Sequence, residues 1–240
     1  MMRPLVKGVT GLSRYGARAL RFNALLRLGS LMLALLLAAP AAVPAAEKPV
    51  ILALGDSLTA GYGLPKQESF PAALETALAE AGHPARVINA GVSGDTSKGG
   101  LSRVDWLLAE DPDVMLLELG SNDGLRALDP AQTYENLKAI IAKAEKTGIH
   151  VLLAGMLAPP NLGREYEEEF NAIFPRLAKE HDVTYYPFFL EGVAAEPSLN
   201  QDDGMHPNAK GVEVIVENIL PSVVKALERA RGAAEEKASG

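Results

Sequence analysis

Val50-Ile-Leu-Ala-Leu54 runs without a polar residue into Gly55-Asp56-Ser57-Leu58-Thr59-Ala60-Gly61-Tyr62-Gly63. A continuous apolar run of this length suits a strand covered on both faces, and the glycine-bearing polar segment behind it is a turn at the strand's carboxyl end. The same pairing recurs. Arg86-Val-Ile-Asn89, Val114-Met-Leu-Leu-Glu-Leu119, Val151-Leu-Leu-Ala154 and Val183-Thr-Tyr-Tyr186 are the further strand candidates.

Segments of helical character lie between them: Phe70 to Ala81, Gly100 to Leu108, Pro130 to Lys146, Arg164 to Glu180 and, last, Asn208 to Arg231. Asp129-Pro130 reads as an N-cap followed by proline at the first helical position, while Gly82 and Gly148 stand where helices should stop. Tyr134, Leu137, Ile140, Ile141 and Ala144 recur at intervals of three and four, which marks one buried face. Strand and helix in strict alternation imply right-handed crossovers, hence an α/β fold: a three-layer α/β/α sandwich with a central parallel sheet. The Ala-, Glu- and Lys-rich tail after Arg231 is expected to be a frayed helix end.

The chain has 240 residues, 48% of them hydrophobic, and no cysteine. One domain with an ordinary core is therefore expected, and disulfides, thiolate zinc sites and a cysteine nucleophile are excluded. Charge is unevenly placed. Residues 1–46 carry Arg3, Lys7, Arg14, Arg18, Arg21 and Arg27 with no acid, leaving 17 basic against 30 acidic residues, a net of −13, for the remainder. Such a body repels phosphate backbones, so nucleic-acid binding is not expected. Leu28 to Ala39 is a short apolar run behind arginines, and it passes into Pro40-Ala-Ala-Val-Pro-Ala-Ala46. That order is the one of a secretory signal peptide. Residues 1–46 are read as the signal, with cleavage after Ala45 or Ala46, and 47–240 as the working domain, periplasmic or secreted and without stable membrane insertion after cleavage. The alternative, an uncleaved anchor, requires about 20 apolar residues, a length reached only by counting the proline-containing stretch.

In open parallel sheets ligands bind outside the carboxyl ends of the strands. Four loops lie there: Gly55 to Gly63, Ala90-Gly-Val-Ser-Gly-Asp-Thr96, Gly120-Ser-Asn-Asp-Gly124 and, before the last helix, Asp202-Asp-Gly-Met-His-Pro-Asn208. Together they supply a hydroxyl, backbone amides, a carboxamide and a carboxylate–imidazole pair. A serine is a weak nucleophile until an imidazole takes its proton, and the imidazole needs a carboxylate to fix its tautomer. Ser57, His206 and Asp203 can fill those roles, with Asp202 as the rival for Asp203. His83 lies in a Gly-His-Pro turn, His150 at a strand start and His181 at a helix end, settings that read as solvated. Each residue alone has a plainer reading: Asp56-Ser57 as a helix cap, Asn122 and Asp123 as loop or capping residues, Gly94 as a tight turn.

Gly55-Asp-Ser-Leu58, Ser93-Gly-Asp95, Gly120-Ser-Asn-Asp123 and Asp203-Gly-Met-His206 resemble, in order and over nearly the whole chain after the leader, the four sequence blocks of the SGNH hydrolases, also called the GDSL esterase/lipase family. The likeness is greatest to its bacterial periplasmic arylesterases and thioesterase I/lysophospholipase L1 group. The resemblance implies a flavodoxin-like form of the sandwich, Ser57 as nucleophile and first oxyanion donor, Gly94 and Asn122 as the other donors, His206 as general base and acid, and Asp203 as its orienting partner. It also implies that no metal or organic cofactor is used, and that the substrate is a small-molecule or lipid ester: aryl or acyl esters, acyl thioesters or lysophospholipids.

Tyr62, Leu64, Met156, Leu157 and Pro159 follow strands and are read as the walls of an acyl groove. Trp106, the only tryptophan, is read as packing or surface rather than substrate contact. The stretch around Ser57 lacks the second glycine of the G-x-S-x-G elbow, Lys98 does not follow a glycine as a phosphate-binding loop requires, and neither G-x-G-x-x-G after a strand nor H-E-x-x-H occurs. Two other functions keep much of this reading: an O-deacetylase of cell-envelope polysaccharide with the same triad, and a non-catalytic acyl-binding protein. The natural substrate and oligomeric state are not written in these residues.

Overall fold

The structure, a computed structural model, describes residues 48–239. The leader read as a signal peptide, with its cleavage site, lies outside the described residues. Five strands form one sheet: β1 (Val50–Gly55), β2 (Arg86–Gly91), β3 (Val114–Glu118), β4 (His150–Ala154) and β5 (Thr184–Tyr186). All four pairings are parallel, and the order across the sheet is β2-β1-β3-β4-β5. The expected sandwich is thus present.

That order follows the burial. β1, β3 and β4 occupy the middle and are almost wholly buried, as their apolar runs require. β2 is a correction. It lies at the edge, where Arg86 and Asn89 are exposed and Val87 and Ile88 only partly covered, so it is not enclosed on both faces.

The helices in chain order are α1 (Ser57–Ala60), α2 (Phe70–Glu80), α3 (Ser97–Leu108), α4 (Ser121–Leu125), α5 (Pro130–Thr147), α6 (Arg164–Asn171), α7 (Ile173–Glu180) and α8 (Ala209–Ser239). The chain steps one way from β1 to β2 and then back past β1 to β3, β4 and β5. Right-handed crossovers therefore put α2 on one face and α3, α5 and α7 on the other. α8 packs against α2, and α3 against α5, which closes the two outer layers.

Local signals explain most boundaries. Asp129 accepts the Ala131 amide at the start of α5, and Gly148, left-handed at φ 82°, ends it. The stripe Tyr134, Leu137, Ile140, Ile141 and Ala144 is buried. α3 begins a turn earlier than the sequence suggests, because the Thr96 hydroxyl accepts the Gly99 amide and the Asp123 carboxylate accepts the Ser97 amide and hydroxyl.

The expected helix from Arg164 to Glu180 is two helices meeting at Ala172. Pro175 has no amide to give the Asn171 carbonyl four residues back, and its ring crowds that position. The Asn171 side chain separately accepts the Ala158 amide at 2.8 Å. α8 continues to Ser239 rather than fraying at Arg231, and Pro221 inside it is exposed. Among the described residues no helix is long and apolar enough to cross a membrane.

Candidate active site

The strand order reverses between β1 and β3, whose carboxyl ends flank the crevice where ligands bind in doubly wound sheets. The turn from β1 into α1 sits there. Gly55 leaves no room for a side chain, since a Cβ would lie 2.1 Å from the Thr59 hydroxyl and 2.5 Å from a Glu118 carboxylate oxygen. Asp56 caps α1 by accepting the Leu58 amide at 3.0 Å. Ser57 is the first residue of that helix, so its amide has no acceptor within the helix.

The loop before α8 is tied to this turn. An antiparallel bridge joins Asn200 to Pro207, the Gln201 amide donates to the His206 carbonyl at 2.8 Å, and the Gln201 side chain donates to the Tyr62 carbonyl at 2.7 Å. The result carries His206 to Ser57, 149 positions away in sequence, with Nε2 2.9 Å from the serine Oγ. On the other side of the ring, Nδ1 stands 2.6 Å from Asp203 Oδ2. An ionised carboxylate only accepts, so Nδ1 carries the proton and Nε2 accepts from the serine hydroxyl.

Asp203 also accepts the His206 amide at 3.0 Å and the Met205 amide at 2.9 Å. These donors, the His206 amide foremost, hold its carboxyl down at about 2. Asp202 lies instead in a separate shallow hollow with Glu196, Asn200 and Gly204. The Tyr62 ring packs on the His206 imidazole at 4.5 Å between centroids, tilted by 37°.

Ser57, His206, Gly94 and Asn122 all line one cavity of about 300 Å³. Gly94 is left-handed at φ 81°. The Asn122 amide donates to Asp56 Oδ2 at 3.0 Å, which leaves its second Nδ2 hydrogen available. The cavity's remaining wall is Leu58, Tyr62, Ser93, Ser121, Leu125, Leu190 and Met205.

Four of the five residues expected to line the groove are elsewhere. Met156 is 2% exposed and belongs to the core, Leu64 packs against the core, Leu157 is exposed but lies outside this cavity, and Pro159 is partly buried on the far side of Gly124. Only Tyr62 remains. The segments after β1, β2, β3 and β5 and the loop before α8 supply the walls, whereas Met156 and Ala158 of the loop after β4 are buried in the core.

Three charged residues behind the site have no counterpart in the sequence-based expectations. Glu118, wholly buried at the end of β3, accepts the Thr59 hydroxyl at 2.7 Å and the Asp56 amide at 3.3 Å, while its Oε1 has no partner. Burial first, and then the charge of Asp56, push its carboxyl well above the usual range. Burial also raises Asp56, to about 6, against the opposing pull of the Leu58 amide and the Asn122 carboxamide. Burial thus disfavours the charged form of both carboxyls. A charged residue inside the apolar run 114–119 is the one signal that marks it in the sequence.

Arg103 donates to the carbonyls of Gly55 at 3.0 Å and Ala90 at 2.7 Å and to Asp95 at 2.8 Å, which fastens the loops after β1 and β2 together. The third is Arg126, which reaches Gly94 and Asn122. Trp106 is 71% exposed. His150 and His181 are not solvated: His150 bonds to the Thr184 hydroxyl at 2.9 Å, and His181 to Glu145 at 3.0 Å.

Comparison with known proteins agrees with this architecture. Residues 53–214 match the model of the GDSL-like Lipase/Acylhydrolase family. An arylesterase of Vibrio mimicus is 42% identical over 204 residues, covering 85% of this chain and 100% of its own. The thioesterase 1/protease 1/lysophospholipase L1 of Escherichia coli is 44% identical over 165 residues, 68% of this chain and 78% of its own. The crystal structure of AlinE4, an SGNH-hydrolase family esterase, superposes with a TM-score of 0.65 at 51% identity, covering 76% of this chain and 98% of that one. The chain belongs to the GDSL-like lipase/acylhydrolase, or SGNH hydrolase, family and is a hydrolase of ester bonds.

Proposed function

We propose that this esterase works by acyl transfer through Ser57, with His206 as base and Asp203 as its orienting partner. The observation that carries the reading is the unbroken chain of hydrogen bonds from Ser57 Oγ through the imidazole to Asp203. His206 takes the hydroxyl proton as Oγ attacks the substrate carbonyl. The imidazolium then protonates the departing alcohol or thiol, leaving Ser57 acylated. Water attacks the acyl-enzyme as the same imidazole removes its proton, the acid is released and the serine hydroxyl is restored. Asp203, low-lying and held by three N–H groups, stays ionised throughout and stabilises the cation.

The charge that develops on the carbonyl oxygen falls to the amides of Ser57 and Gly94 and the carboxamide of Asn122, all on the wall of the same cavity. Leu58, Tyr62, Leu125, Leu190 and Met205 make that wall apolar, and its volume lies at the small end for ligand sites. Short or medium acyl chains and aryl leaving groups fit this best, as esters or as thioesters, with lysophospholipids as the larger members of the class. The basic leader and apolar run before residue 46 support export to the periplasm or beyond.

The test is hydrolysis of p-nitrophenyl esters from acetate to palmitate, together with an acyl thioester, by the protein beginning at residue 47. Ser57→Ala and His206→Ala are run in parallel. Activity that peaks at short or medium chains and vanishes in both variants is the expected result. Activity confined to acetate moves the substrate to O-acetyl groups of envelope polysaccharide. An inactive parent, or an active Ser57→Ala, overturns the triad and favours an acyl-binding protein.

A further inference from the structure

α4 is a five-residue turn of helix capped at its end by Arg126, and the guanidinium folds back onto the loop after β2. Its Nη2 donates to the Gly94 carbonyl at 2.8 Å and stands 3.5 Å from Asn122 Oδ1. One side chain thereby spans the loops after β2 and β3 and touches both residues that supply oxyanion donors beside Ser57. Among the described residues no carboxylate lies within 4.0 Å of this guanidinium, although the domain is strongly acidic.

We propose that Arg126 is a positioning residue of the oxyanion hole, setting the Gly94 peptide and the Asn122 carboxamide in the orientation that the transition state needs. The inference rests on the oxyanion roles proposed above. Asn122 is gripped at both ends: Nδ2 donates to Asp56 Oδ2 at 3.0 Å, and Oδ1 faces the guanidinium. A flipped carboxamide would turn its oxygen toward the Asp56 carboxylate and its nitrogen toward a cation, so the two charges select one of the two flips. The free Nδ2 hydrogen is then aimed by construction. Positive charge at Oδ1 also polarises the amide and strengthens what that hydrogen can donate.

Gly94 presents the complementary problem. At φ 81° and without a side chain, its backbone has wide freedom, and the loop from Val92 to Asp95 is largely exposed. The bond to its carbonyl removes rotation of the following peptide and so steadies the glycine. A donor already in place costs no reorganisation when charge appears.

Arg126→Ala, Arg126→Lys, Asn122→Ala and the Asn122→Ala/Arg126→Ala double variant are assayed on p-nitrophenyl butyrate, with Ser57→Ala as control. Removing one oxyanion donor typically costs 10²–10³ in kcat, and loosening two should cost roughly 10- to 100-fold. Arg126→Ala is expected to lose that factor in kcat with KM within about twofold, with an unchanged pH profile and thermal midpoint. Arg126→Lys, which keeps the charge but not the fork, recovers part of the loss. In the Asn122→Ala background the same substitution costs several-fold less, because the two act as a unit. A kcat within about twofold of the parent overturns the proposal, as does a loss carried by KM or a full loss that persists without Asn122. An active Ser57→Ala is a different failure, since it removes the mechanism on which the inference rests.

Discussion

The two halves of the site are built in opposite ways. Around the serine, Asp56 and Glu118 are completely buried, and the turn is packed so closely that Gly55 has no space for a methyl group. Around the histidine, Asp203 keeps 34% of its side chain in solvent, and Met205 beside it is 53% exposed. Carboxylates within one crevice are consequently driven apart. Asp203 falls to about 2 because N–H donors surround its charged form, Asp56 rises to about 6 because burial penalises that form, and the same burial pushes Glu118 well above its ordinary range. The nucleophile's half spends stability on a fixed position. The base's half gains charge at little structural cost.

Asp203→Asn should break this contrast most severely. The amide cannot hold the imidazole in the same tautomer, and kcat/KM should fall by roughly 10³- to 10⁴-fold. The urea midpoint at neutral pH should fall too, since the ionised carboxylate contributes stability there, but solvent around this exposed loop keeps that loss far smaller than the kinetic one. Steady-state kinetics with a denaturation curve on the same preparation check both halves of that statement.

On the buried side the balance reverses. Glu118→Ala leaves a void and strips the Thr59 hydroxyl and Asp56 amide of their acceptor, at a cost of about 3 kcal/mol in unfolding free energy. Glu118→Gln keeps an oxygen acceptor for both donors and fills the void, so it should cost less than the alanine variant. A Gln variant as damaged as the Ala variant would show that the acceptor oxygen and the filled volume are not what the site needs.

Acid and base titrations separate the halves by sign. Asp56 has a folded pKa above its ordinary 3.8, so its stabilising contribution is complete below about pH 4 and is lost as pH rises through 6. At 1.4 kcal/mol per pKa unit the loss is on the order of 3 kcal/mol. Asp203, held below its ordinary value, contributes stability that is present above about pH 4 and is lost as pH falls toward 2. Urea midpoints from pH 3 to 7 should therefore diverge in opposite directions when the parent is compared with Asp56→Asn and with Asp203→Asn.

The smallest effect belongs to the rim. Met205→Ala should raise KM for the longer esters several-fold and leave kcat and stability nearly unchanged, since a half-exposed side chain contributes well under 2 kcal/mol to either. A KM series over acyl length measures it.

How much of this could be read beforehand follows the same division. Apolar runs such as Val50–Leu54 and Val114–Leu117 identify central strands because burial on both faces leaves no alternative residue types, whereas the edge strands Arg86–Gly91 and Thr184–Tyr186 are less covered than their residue types suggest. Asp129 and Gly148 bounded α5 through local chemistry alone, whereas Pro175 acted through a carbonyl one turn away and split a helix that periodicity had joined. Ser57, Asp203 and His206 stood out by residue type and resemblance. The walls did not, because Leu125, Leu190 and Met205 meet only after distant loops converge, and an apolar residue in a loop looks the same whether it lines a cavity, as Tyr62 does, or fills the core, as Met156 does. Arg103 and Arg126 were illegible for another reason. Their partners are mostly backbone carbonyls, and a carbonyl has no letter in the sequence.

The 149 positions between the serine and the histidine also set when this protein can act. All five strands lie within residues 50–186, and a chain that has emerged only that far carries Ser57, Gly94 and Asn122 but not His206. On the mechanism proposed above, hydrolysis waits for the segment that closes the Asn200–Pro207 bridge and docks α8 on α2. On that mechanism turnover reports that the carboxyl-terminal quarter of the domain is in place, and a chain still lacking it is silent toward any ester it meets.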